Sequence, residues 1–302
     1  MAIDFDTFFP VLLENEHLSN RNQQNLLKLA RVIKKKAEGD RSAEEWYAYG
    51  RAQELEGDAQ GAEMAYTESI FEDEQFEAAF KHRATVRLAL GETDGAIEDL
   101  NQAIALDEQY LPAYIERARA RSAKEDFDAA VADLELVLER EDDDEQAWFE
   151  LGSVLDKAGK TEEALEKFNK AVELAPKEPY FVMHRGIAYL FTDHHEKALA
   201  DFLKAQKIEG NNYVIQFNLG LAYGMLPDKS KEAYQNFERA FRKHQAALSS
   251  YIKEAQTNEK TRLVKKLDAV IENVKSIPSD APGKFYREQL IDLLDHKLKE
   301  VR

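Results

Sequence analysis

The chain has 302 residues, 44% hydrophobic and 33% charged, with a net charge of −17 and no cysteine. The missing cysteines exclude disulfides, thiolate metal sites and a Cys nucleophile, and the acidic excess, concentrated in residues 43–251 (23 basic against 43 acidic side chains), would repel a phosphate backbone. No apolar run approaches the roughly 18 residues of a membrane span, and Met1-Ala2-Ile3-Asp4-Phe5-Asp6 has acids where a signal peptide needs positive charge, so the expectation is a cytoplasmic protein with neither membrane insertion nor a nucleic-acid partner.

In chain order, residues 3–14 are dense in apolar side chains (Ile3, Phe5, Phe8, Phe9, Val11, Leu12, Leu13). Leu26, Leu27, Leu29, Ala30, Val32 and Ile33 then follow helical spacing and end on Lys34-Lys35-Lys36, cations that suit a helix C-terminus. From residue 43 a period of 34 takes over. Trp46, Phe80, Tyr114, Trp148 and Val182 stand one period apart. Four residues after each come small Gly50, Ala84, Ala118, Gly152 and Gly186. Sixteen after those come large Tyr66, Leu100, Leu134, Phe168 and Phe202. Apolar residues at three- and four-residue intervals predict two amphipathic helices per period. The turn between them holds Gly57, Gly91 or Gly159, residues that suit a left-handed helix end. A sixth unit starts at Tyr213 with Leu219, Gly220 and Tyr223 in register. Its second half, Ala233, Phe237 and Ala240, is displaced by one, which predicts a one-residue insertion at 226–230.

Beyond the repeats, Leu248, Tyr251, Ile252 and Ala255 read as the start of a half-repeat. Leu263, Val264, Leu267, Val270, Ile271 and Val274 share a helix face. Pro278 to Gly283 is a turn, and Tyr286, Leu290, Ile291, Leu294, Leu298 and Val301 mark a last helix. Open ends of a repeat array need covers. The expected division is a helical cap at 1–42, six repeats at 43–76, 77–110, 111–144, 145–178, 179–212 and 213–246, and capping helices at 247–302.

The fourth unit reads Trp148-x2-Leu151-Gly152-x2-Leu155, then Ala164-x3-Phe168 and Pro176. That resembles the tetratricopeptide repeat (TPR). The resemblance implies an all-α, right-handed superhelical solenoid whose first helices line a concave groove. It places Tyr47, Arg51, Lys81, Arg119, Phe149, Tyr180, Met183, Ile187, Leu190, Phe217, Leu221 and Met225 along a partner-binding surface, polar in its first half and apolar in its second. Fold-back of residues 277–302 would fill the apolar half. The clamp by which some TPR proteins hold a C-terminal carboxylate is not matched, because Lys81 and Thr85 precede Glu116, which would repel a carboxylate.

Repeat position 7, apolar in most of the family, holds Arg83, Arg117 and Arg185. Position 23 holds Asp99, Asp133 and Asp201 in the same three repeats. The coincidence predicts an Arg–Asp bridge between the two helices of one hairpin. Other chemistry is not legible. Ala158-Gly159-Lys160-Thr161 lacks the first glycine of a phosphate loop, since position 154 is Val154. His194-His195 sits on a turn without further ligands, and the Glu141–Glu145 run suits a helix N-terminus. The expectation is a non-enzymatic adaptor without metal or cofactor that binds a protein or peptide in its groove. The alternative is a structural component that self-assembles through its end helices.

Overall fold

The computed structural model describes residues 5–14, 18–210, 212–254, 257–276 and 284–301; side chains within 243–260 fall outside it. Among the described residues there are sixteen α-helices and no strand. They form two compact units, residues 1–140 and 141–302.

The first unit opens with α1 (Phe5–Glu14) and α2 (Asn20–Ile33). Three hairpins follow: α3 (Ala43–Glu56) with α4 (Ala59–Glu72), α5 (Glu77–Leu90) with α6 (Thr93–Leu106), and α7 (Leu111–Ala123) with α8 (Phe127–Arg140). Ser42 starts α3 with a capping box, its side chain accepting from the Glu45 amide while Glu45 reaches back to the Ser42 amide. Arg41 covers the end of α2: its Nη2 donates to the carbonyls of Lys34 and Lys36 at 3.4 and 3.2 Å, and its guanidinium lies 4.3 Å over the Trp46 ring.

The second unit repeats the plan with α9 (Glu145–Lys157) and α10 (Thr161–Leu174), α11 (Pro179–Phe191) and α12 (His195–Glu209), and α13 (Tyr213–Gly224) and α14 (Ser230–Glu254). Helices α15 (Thr257–Ser276) and α16 (Lys284–Val301) complete it. Helix α14 runs unbroken to Glu254, through residues 246 to 248. The predicted turn at 278–283, Ile3, and the side chains of Tyr251, Ile252, Ala255, Leu298 and Val301 lie outside the described residues.

Each hairpin closes on one large–small contact. A Cβ at Gly50 would meet the Tyr66 ring at 2.7 Å; at Gly152, Phe168 at 2.8 Å; at Gly186, Phe202 at 2.7 Å; at Gly220, Phe237 at 2.8 Å. In the two repeats with alanine instead, Ala84 and Ala118, the large partner is Leu100 or Leu134, and all four are fully buried. Rings thus face glycine and leucines face alanine, so the helix separation holds while the volume is redistributed.

The turns share a backbone state. Gly57, Gly91 and Gly159 have φ of 79°, 83° and 81°, and the equivalent residues of the other repeats, Glu125, Asp193 and Asp228, have φ of 62°, 60° and 57°. The left-handed residue ends the first helix in every hairpin whether or not it is glycine.

Candidate functional site: the faces of the first helices

The polar framework is built from one recurring arginine. Arg83 donates Nε and Nη2 to the two Asp99 oxygens at 2.9 and 2.7 Å, and Nη1 to Thr67 Oγ1 at 3.3 Å. Arg117 does the same to Asp133 (2.9 and 2.7 Å) and to Asn101 at 2.8 Å. Arg185 does so to Asp201 (both 2.8 Å) and to Asn169 at 3.4 Å. The fork holds the two helices of one hairpin in bidentate geometry, while the remaining nitrogen reaches the second helix of the preceding hairpin. Arg87 and Arg121 add a third bond to Asp99 and Asp133, at 2.9 and 2.7 Å. The three carboxylates are buried, so their charge is matched by fixed donors rather than by water. The role of Arg87 and Arg121, one helical turn past the fork, was not read from the sequence.

In the first unit, α1 lies against α3. Leu12 is fully buried, Phe9 meets Tyr47 edge-on at 6.0 Å, and Arg51 Nη1 donates to the Leu12 carbonyl at 3.0 Å and to Tyr47 Oη at 3.2 Å. Arg51, Lys81, His82 and Glu116 are all buried. His82 stacks on Tyr66, with Arg51 at 3.4 Å on one ring nitrogen and Glu54 at 3.5 Å on the other. Burial, with Lys81 and Arg51 nearby, pushes the His82 imidazole well below its usual range and keeps it neutral. Arg119 is half-buried and paired with Glu116. At Tyr47 and Arg51 this face is covered by α1, whose apolar side is buried there.

In the second unit, α15 crosses the ends of α9, α11 and α13. Arg262 donates to both Asp156 oxygens, at 3.1 and 3.2 Å, and its guanidinium lies 4.3 Å over the Phe191 ring. Lys266 donates to Asp193 at 3.1 Å, and Asn273 to the Gly224 carbonyl at 2.7 Å. Leu267, Val270, Ile271 and Val274 are buried. Under α15 remains a cavity of ≈ 390 Å³, lined among others by Tyr180, Met183, Ile187, Phe217, Leu221 and Leu263. His184 is also in its wall. Burial pushes its imidazole down to about 4; Asp156 opposes that shift and Lys157 adds to it. Of the residues expected along this groove, Tyr180 is half-exposed. Phe149, stacked on Phe181 at 4.7 Å, and Leu190 are buried in the packing between helices rather than presented to the cavity. Met225 is half-buried beyond it. The segment returning over this face is residues 257–276, while α16, from the segment 277–302 considered as an alternative occupant, packs on α14 and α15.

The family model described as "Tetratricopeptide repeat" matches residues 115–179, from the third hairpin through the fourth, in phase with the period of 34. Residues 115–179 thus carry tetratricopeptide repeats. A search of curated proteins returns no match. Among solved structures, the chain is similar to a tetratricopeptide repeat protein from Parabacteroides merdae (TM-score 0.60, 15% identity, 96% of this chain and 97% of that one). It is also similar to Pseudomonas aeruginosa pilF (TM-score 0.59, 16% identity, 70% and 97%) and to a chain of the APC/C hetero-tetramer Cut9-Hcn1 (TM-score 0.63, 17% identity, 79% and 49%). At these identities the likeness carries the fold.

No group of three or more potential metal ligands occurs among the described residues, and none of the described helices is long and apolar enough to cross a membrane. The buried His82 and Glu116 and the anchors Asp156, Asp193, Arg262 and Lys266 were not among the expected site residues. Their only sequence signal was charge at positions that a solenoid usually leaves to solvent.

Proposed function

We propose that the TPR protein is a non-enzymatic scaffold that binds a protein segment on the faces of its first helices, with residues 43–246 as the six-repeat interaction module and 1–42 and 247–302 as its covers. The observation that carries this reading is the second unit's cavity. Its apolar wall of Met183, Ile187, Phe217 and Leu221, with polar groups at the rim, is the composition that receives side chains of a partner. Stacked helical hairpins supply the extended surface such partners need. Self-assembly through the end helices is the weaker reading, because the apolar faces of α1 and α15 are spent inside their own units.

Photo-crosslinking tests it. A benzophenone amino acid at Tyr180 or Arg119 samples the first-helix faces, and one at Met64 or Phe71, exposed at 68% and 78% on α4, samples a second helix. In cells, adducts to other proteins are expected from Tyr180 and Arg119 and not from Met64 or Phe71. Adducts confined to α4 would move recognition to the second helices, and silence at all four positions would end the scaffold reading.

A further inference from the structure

The covered face of the second unit records what it prefers to hold. Helix α15 runs over three successive first helices at their C-terminal ends. Arg262 meets Asp156 near the end of α9, Lys266 meets Asp193 just past α11, and Asn273 binds the last carbonyl of α13. Helix C-termini carry partial negative charge, and here two carboxylates add to it. The result is an acidic lip beside an apolar floor, and α15 answers it with two cations one turn apart and an apolar stripe. Asp193 sharpens the point. It occupies a left-handed turn position where repeats 1, 2 and 4 have glycine, a strained place for a side chain. There its carboxylate holds Lys266.

The fit is incomplete. Below Leu263 the ≈ 390 Å³ cavity persists between the floor and the helix, so α15 leaves apolar surface without partner atoms. A helix with a larger side chain at that place would recover those contacts.

We propose that the face formed by α9, α11 and α13 is a receptor for a basic amphipathic helix of a partner protein, one with cations four residues apart and a bulky apolar side chain preceding the second cation by three, and that residues 257–276 are its resident, displaceable occupant. The inference rests on the scaffold reading and deepens it. The acidic lip selects cations, the floor selects the apolar stripe, and the cavity gives the incoming helix an advantage over α15.

The test uses the full chain and a fluorescent peptide of residues 257–276 carrying Leu263→Trp. A Cβ at Gly224 would lie 3.4 Å from the Val270 Cβ, close to disulfide spacing, and the chain has no other cysteine. G224C/V270C therefore clamps α15 when oxidised and frees it when reduced. The reduced protein is expected to bind the peptide at least about tenfold more tightly than the oxidised one. A peptide that also carries Arg262→Glu and Lys266→Glu is expected to bind about tenfold or more weaker. A chain carrying R262E/K266E, with its own helix loosened, should bind the Trp peptide more tightly than wild type, and serves as the second arm if the cysteine pair perturbs folding. Equal binding to clamped and freed protein, or no binding to either the reduced or the R262E/K266E chain, overturns the proposal. If Tyr180 adducts persist in that case, the helix class is wrong and the scaffold reading stands; if they are absent too, both fall.

Discussion

The two units use the same framework to present opposite faces. In each, an arginine fork ties a hairpin together and reaches the one before it: Arg117 with Asp133 and Asn101 in the first, Arg185 with Asp201 and Asn169 in the second. In each, a helix outside the repeats lies over the first helices. The first unit's face is charged and aromatic, with Arg51, Lys81 and His82 buried and Arg51 bonded to the Leu12 carbonyl of α1. The second's is apolar, with charge only at the edge where α15 is anchored. The difference teaches that repeat architecture is fixed by a few positions (the ring and its glycine, the arginine and its aspartate), which leaves the first-helix face free to vary.

If the framework is shared, breaking it should cost the same in both units, and this is the largest effect expected. Asp133→Ala strips partners from Arg117 and Arg121, and Asp201→Ala strips them from Arg185. Each should destabilise its unit by about 3 to 5 kcal/mol, the usual result of leaving one side of a buried pair. Hydrogen exchange resolved by helix would register the loss in α7 and α8 or in α11 and α12. A large cost in only one unit would show that the forks are not equivalent.

The next effect is acid sensitivity, which a buried histidine with a lowered pKa gives to each unit, His82 in the first and His184 in the second. The His184 imidazole titrates near 4 in the folded chain, against an ordinary value of 6.5. Its folded pKa is lowered, so between those values the unfolded chain binds more protons, and stability declines as pH falls through the window. The decline should reach up to about 3 kcal/mol by pH 4. Protection of α11 and α13 should fall between pH 6.5 and 4, and His184→Gln should flatten that slope. A slope unchanged by the substitution would place the acid sensitivity elsewhere.

The framework was legible in the sequence because each of its contacts joins two positions at a fixed offset. Gly152 and Phe168 are sixteen residues apart, as are Arg117 and Asp133, and the period of 34 repeats the offset until it stands out. The covers were legible only as amphipathic helices. Arg262 and Asp156 are 106 residues apart with no second copy to reveal the pairing, and nothing local distinguishes a helix that crosses a face from one that caps an end. That is why the sequence left open whether a segment returns over the face, with 277–302 as the candidate, and the structure places 257–276 there. The buried charges around Arg51 were obscured for the same reason: Leu12 belongs to a helix whose partner the repeat pattern does not predict.

The ring–glycine rule is testable on its own. Gly152→Ala pushes a methyl into the Phe168 ring and should cost about 1 to 3 kcal/mol. Adding Phe168→Leu restores the alanine–leucine pairing that repeats 2 and 3 use at Ala84 and Leu100, or Ala118 and Leu134. The double variant should then be more stable than Gly152→Ala alone when both are unfolded in urea. Additive losses would mean that the pairing of small and large residues is coincidence, and that the helices adjust their spacing one by one.

The smallest expected effect bears most directly on the faces. Glu125 and Asp193 occupy the same turn position in the first and second units, with φ of 62° and 60°. Glycine there relieves the left-handed strain, by about 1 to 2 kcal/mol at most, while adding freedom to the unfolded chain worth about 0.4 to 1 kcal/mol in the other direction. Glu125→Gly should therefore be stabilising, by roughly 0.5 kcal/mol after the two terms offset. Asp193→Gly gains the same backbone relief but loses the carboxylate that holds Lys266 at 3.1 Å. Because Asp193 is 78% exposed, that pair contributes about 0.2 to 1 kcal/mol, enough to erase the gain. Thermal melts should place Glu125→Gly above wild type and Asp193→Gly at or below it, and high salt, which screens the ion pair, should narrow the gap. If Asp193→Gly stabilises as much as Glu125→Gly at low salt, the carboxylate contributes nothing to seating α15, and the acidic lip is reduced to Asp156 and the ends of three helices.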